Sequence, residues 1–272
     1  MYKNKSILKQ LFDLYIFGNI HVAIAVFCLT KLTLLEVGIS DNTAPLFVFF
    51  ATIFSYNVIR FLRVGDIKSW FNLWFKENKI VLYGITFIAT LFLVYFVFKI
   101  HFKALLVMFP FMMFTLLYTF PIKNFSLREK SGLKLFLIAI SWAGITVLFP
   151  LKQNYIQIRP EDWLTFLQRF LFIFAITIPF DIRDLNYDAI SMNTLPQRYG
   201  VVKSKQLAIL AMFFFLILEF FKKPHQLNGA FLITIISVAM ILFSGENRNK
   251  YYTSFFVESL PIIWFVIFMF FN

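Results

Sequence analysis

The segment 179–196, PFDIRDLNYDAISMNTLP, closes a long apolar run with three aspartates, Asp181, Asp184 and Asp188. Carboxylates grouped in this way suit cation chemistry. If the preceding helix continues through them, offsets of 0, 3 and 7 residues place all three within an arc of roughly 60°. Like charges on one face repel, so the arrangement calls for a compensating cation. Mg2+ takes hard oxygen ligands, keeps several waters and joins one or two carboxylates to substrate phosphates. The alternative is a solvated loop whose acids pair with Arg183, Arg198, Lys203 and Lys205.

These residues sit in a chain unlike a soluble domain. Of its 272 residues, 60% are apolar and 15% are charged, and Phe alone occurs 40 times. Ordinary globular domains carry about 25% charged residues. The class is integral membrane, in one domain over 1–272. The net charge of +12 then sets topology and meets anionic headgroups rather than nucleic acid. Cys28 is the one cysteine, which excludes an intrachain disulfide, and it reads as a small buried side chain. His21, His101 and His225 lack ligand spacing, so no zinc or iron site is expected. The basic start MYKNKSILKQ leads into a stretch holding Asp13 and Asn19, read as a retained first helix.

A helix needs about 20 mostly apolar residues to cross a bilayer. Nine stretches qualify, at roughly 10–30, 43–62, 80–98, 103–121, 133–150, 163–180, 205–221, 228–244 and 252–271. "FKENK" and "LREK" read as short connections between them. With the N-terminus inside, the loops and tails on the cytoplasmic side hold 18 Lys and Arg and those opposite hold 7. That bias predicts a cytoplasmic N-terminus, in a bacterial inner (cell) membrane. It also puts the loops after the second, fourth and sixth spans on one side, where they hold most of the unusual polar residues. A shared pocket opening to the cytoplasm is the inference.

The stretch DIRDLNYDAISMNTLPQRYG resembles the second aspartate motif, D-x-x-D-x-x-x-D with its T-L-P…G tail, of the UbiA superfamily of intramembrane prenyltransferases. LLYTFPIK is similar to that family's Tyr-x-x-Pro stretch with a nearby base. The resemblance implies an all-α, polytopic fold of nine transmembrane helices around a central cavity. It implies transfer of a prenyl group from a polyprenyl diphosphate to an aromatic or lipid acceptor at the cytoplasmic face. It further implies Mg2+ on Asp181, Asp184 and Asp188, with Asn57, Tyr118 and Lys123 toward the diphosphate. Metal ions and bases stabilise the charge that grows on such a leaving group. Aromatic rings can shelter an allylic cation.

The match breaks after the second span. The family's first motif begins with Asn and carries three acids, but this chain reads NVIRFLRVGD. Asn57 fits, while Val58, Phe61 and Gly65 stand where the acids belong and Asp66 is one residue late. Arg60 and Arg63 occupy the region instead. Three readings stay open: the arginines bind diphosphate directly, they pair with the aspartates and close an idle pocket, or they only set topology. Lys123 likewise either contacts diphosphate or snorkels to headgroups. The alternative function is a catalytically degenerate relative that binds an isoprenoid lipid or plays a structural role. Asp13, Arg169, Glu219 and Glu258 lie in or beside spans and raise a third possibility, a small-solute transporter. No Gly-rich phosphate loop or nucleophile triad is present. Acceptor, prenyl length and oligomeric state are left open.

Overall fold

A computed structural model describes residues 6–62, 69–119, 133–188, 192–223 and 226–271. The described residues are all helical apart from short connections, with no strand among them. Eleven helices follow in order: α1 Ile7–Phe17, α2 Ile20–Glu36, α3 Thr43–Leu62, α4 Ser69–Val97, α5 Phe102–Thr119, α6 Leu133–Ala143, α7 Phe149–Gln153, α8 Pro160–Arg183, α9 Leu195–Glu219, α10 Leu227–Leu242 and α11 Leu260–Phe271. Five-residue and six-residue π-helical turns, Gly144–Leu148 and Tyr252–Val257, join α6 to α7 and lead into α11.

Six helical stretches among the described residues are long and apolar enough to cross a membrane, or seven if α1 and α2, bent by 52°, form one span. The chain is an integral, multi-pass membrane protein. Of the nine expected spans, six or seven are found at full length among the described residues, and the apolar stretches Phe102–Phe114 and Leu227–Leu242 correspond to the other two. The segment FKENK is also no connection. It lies inside α4, whose first turns bury Phe71, Trp74 and Phe75 against Ile16 and Phe17 of α1. LREK lies outside the described residues.

Backbone polar groups have no water to bond within a bilayer, so helix is the conformation available to such apolar runs. Neighbours in the chain become neighbours in space. α2 packs on α3 and α3 on α4; α5 packs on α6, α6 on α8, then α9, α10 and α11 follow, and α11 returns to α2. The main apolar core joins α2, α6, α8, α9, α10 and α11 around Phe172, Phe215 and Trp264. Many Phe rings instead point outward, Phe98 and Phe270 among the most exposed, as a lipid-facing surface requires.

Candidate functional site

α8 begins at Pro160, with the Asp162 carboxylate accepting from the Arg159 backbone N–H at 2.7 Å, a cap that satisfies an otherwise orphaned donor. It runs to Arg183, carrying Asp181 in its last turn. The helix ends there, so the three carboxylates do not share a continuous helical face. The chain turns through 184–188, with the N–H groups of Tyr187 and Asp188 both donating to the Asp184 carbonyl.

The turn sorts the acids. Lys134, at the start of α6, donates to Asp181 Oδ1 at 2.6 Å and to Asp188 Oδ2 at 3.5 Å. Both carboxylates are nearly enclosed, with side chains 1% and 4% exposed. Asp181 Oδ2 is buried without a hydrogen-bond partner among the described residues. Asp184 turns aside to Arg183, whose Nε and Nη2 grip its two oxygens at 2.8 Å each. Nη1 of Arg183 donates to Thr253 Oγ1 and Ser254 Oγ. Of the cations expected to balance the acids, Arg183 does so. The lysine that joins Asp181 to Asp188 lies 47 residues before the first of them, and no local pattern pointed to it.

The TLPQ tail is architectural. Gln197 Oε1 accepts from the Thr194 N–H at 2.9 Å, and its Nε2 donates to the Asp188 carbonyl at 3.1 Å. The start of α9 is thereby tied to the acidic turn. Gly200, at φ 80 and ψ 163, breaks α9 after its first turn.

The α3 side has a different logic. α1 and α2 are separated by Gly18 and Asn19, the latter at φ 65, and the break leaves backbone groups to be satisfied. Arg60 Nη1 donates to the Phe17 carbonyl, and Nη2 donates to Asn19 Oδ1 at 3.1 Å. Asn57, fully buried, accepts from Asn19 Nδ2 at 2.7 Å. The guanidinium also stacks 4.6 Å from the centre of the Phe71 ring. Arg60 therefore pairs with the helix break and not with the aspartates. Arg63, Asp66, Lys123 and the Tyr118 side chain lie outside the described residues.

Between α3, α4, α5 and α6 lies a cavity of about 810 Å3, within the range of small-molecule sites. Its walls are mostly apolar and aromatic, including Phe47, Met108 and Trp142. Its polar lining includes Arg60, Arg183, Asn19, Ser254 and Glu258. Glu258, which follows the π-helical turn before α11, lies within Coulombic range of both arginines. It is the one carboxylate lining the cavity among the described residues. The aspartates are not in the lining, and Asp184 connects to it through Arg183.

The other buried charges are answered locally. Asp13 accepts from the Tyr251 hydroxyl. Glu219 accepts from Gln168 at 2.7 Å, and Lys222 reaches Glu36 at 3.2 Å. His21 contacts the Tyr15 hydroxyl, and His101 contacts that of Tyr155, each at 2.7 Å. Cys28 is buried; His225 lies outside the described residues. Among the described residues, no three His, Cys, Asp or Glu side chains gather closely enough to hold a metal ion.

No protein-family model matches the chain, and no curated protein matches it. A solved structure described as a digeranylgeranylglyceryl phosphate synthase in membranes is similar in fold. The TM-score is 0.54 at 18% identity, over 97% of this chain and 96% of that one. The likeness is one of architecture: this chain is an all-α membrane protein that shares the fold of that structure.

Proposed function

We propose that the protein is an intramembrane prenyltransferase, joining the prenyl group of a polyprenyl diphosphate to an aromatic or lipid acceptor. The diphosphate is placed at the Asp181 end of the bundle, which the Lys and Arg bias assigns to the cytoplasm. One observation carries this reading. Arg183 lines a large apolar cavity and at the same time grips Asp184 of the acidic turn. A charged head and a greasy tail can thus be held together.

The allylic C–O bond breaks and its electron pair leaves with the diphosphate. The acceptor bonds to the allylic carbon and loses a proton. Arg183 and Arg60 offer N–H donors to phosphate oxygens as charge builds there. Asn57 acts through Asn19 and so fixes Arg60. Aromatic walls, Trp142 among them, attract the allylic cation by their ring faces. The family resemblance adds Tyr118 and Lys123 as candidate donors to the diphosphate. Asp181 and Asp188 would hold Mg2+: they are hard oxygen donors, and the buried Asp181 Oδ2 has no hydrogen-bond partner among the described residues. Bound there, Mg2+ would supply Lewis-acid neutralisation of the leaving group.

The test is purified protein in proteoliposomes with labelled polyprenyl diphosphates of several lengths and membrane lipid extract. Wild type is expected to yield a labelled lipid, and Asp184→Ala to lose roughly 100-fold in rate or more, the upper end for groups that orient a site. Folded wild-type protein that yields no labelled product with any donor overturns the proposal. A second reading has its own support: Arg60 and Asn57 are engaged in the helix break. It is a protein that binds an isoprenoid diphosphate without turnover, and donor binding without product favours it.

A further inference from the structure

The Lys134 ammonium bridges Asp181 and Asp188, the two carboxylates that would hold a divalent ion. We propose that Lys134 is a resident cation that keeps this carboxylate pair closed to free divalent ions, so that a divalent ion enters only together with a diphosphate. The inference rests on the diphosphate site proposed above and adds an order of binding to it.

The geometry supports this in three ways. First, Lys134 Nζ touches both carboxylates, at 2.6 and 3.5 Å, and both are almost wholly enclosed. A divalent ion arriving alone must displace the ammonium or sit against it. Displacement strips a charge of its partners in a poorly solvated place, which is unfavourable. Co-residence sets like charges close together. Second, Asp181 Oδ2 is buried without a hydrogen-bond partner among the described residues, so the ammonium does not exhaust the pair's capacity. A cation with more coordination sites would use that oxygen. Third, the lysine can move. It is the second residue of α6 and its side chain is 20% exposed, and a flexible four-carbon stem carries its charge.

Diphosphate changes the balance. Its oxygens give the ammonium a new partner and bring negative charge to offset an incoming divalent ion. The site then accepts the metal and the anion as a set. By linkage, each must raise the other's affinity by the same factor.

The experiment measures Mn2+ binding to the purified full-length protein by electron paramagnetic resonance. It is run with and without inorganic pyrophosphate, and the Mn2+–pyrophosphate complex formed without protein is subtracted. Wild type is expected to bind Mn2+ weakly alone and at least tenfold more tightly with pyrophosphate. Lys134→Gln is expected to bind Mn2+ alone at least tenfold more tightly than wild type, with the pyrophosphate effect largely lost. Lys134→Arg, which keeps the charge, is expected to behave as wild type. Equal Mn2+ affinity of wild type and Lys134→Gln in the absence of pyrophosphate overturns the proposal. So does a wild type whose Mn2+ affinity pyrophosphate leaves unchanged, a result that needs no variant to fold. Prenyl transfer without this coupling removes only the role of Lys134; coupling without transfer leaves that role standing and removes the reaction.

Discussion

Arg169 has no exposed surface, yet it carries a full charge in the middle of α8. Its Nη1 donates to the Leu29 carbonyl at 3.0 Å, and its guanidinium lies 4.6 Å from the centre of the Trp264 ring. It ties α8 to α2 and α11 far from the proposed diphosphate site, which gives it a structural role. Removing one member of a buried polar set costs about 3 kcal/mol or more. Arg169→Ala is expected to lower the unfolding midpoint in detergent by that order while leaving the KM for prenyl diphosphate unchanged. A stable variant with a raised KM would move Arg169 into the site. Glu258 belongs to the opposite category. It lines the cavity between two arginines, and only the assembled cavity gives it meaning.

At the scale of elements, breaks do more than regular helix. The bend between α1 and α2 creates the carbonyl that holds Arg60. At the π-helical turn after α6, a Cβ on Gly144 would meet the Phe111 ring at 2.4 Å, so glycine is what lets α5 approach there. Gly200 lies in a region of φ and ψ open almost only to glycine, and it frees the first turn of α9 to reach back to Asp188. Substitution at such a backbone position costs about 1–3 kcal/mol. Gly200→Ala is expected to destabilise by that amount. It should also weaken prenyl transfer through the loosened Gln197–Asp188 contact. Unchanged thermal unfolding and unchanged turnover would show that the break is dispensable.

At the scale of the molecule, α11 returns to pack on α2, and residues from α1 through α6, with Arg183 of α8, share the lining of one cavity. The asymmetry of basic residues predicts that the acidic turn faces the cytoplasm. Asn186 is exposed on that turn, and Cys28, the chain's one native thiol, is buried. Asn186→Cys is therefore expected to react with a membrane-impermeant maleimide in inside-out vesicles and not in right-side-out ones. The reverse labelling pattern would invert the assigned topology.

Composition by itself determined the solvent, and with it the all-helical class, because apolar backbone in lipid can satisfy its own polar groups in few ways. Local pattern also marked Asp181, Asp184 and Asp188 as a unit, since their spacing lies within two helical turns. Local pattern misjudged FKENK, because its charges face outward while Phe71, Trp74 and Phe75 bury the other side of α4. The shared helical face that a continued helix would give does not form, because the turn after Arg183 sends Asp184 one way and Asp181 and Asp188 another. Only the tertiary structure decided what meets those acids. Lys134 stands 47 residues from Asp181, and Arg60 stands 43 residues from the carbonyl that it holds. Periodicity reports which face of a helix is greasy. It carries no information about which distant helix packs against that face, and such packing is what brings a cation to a carboxylate.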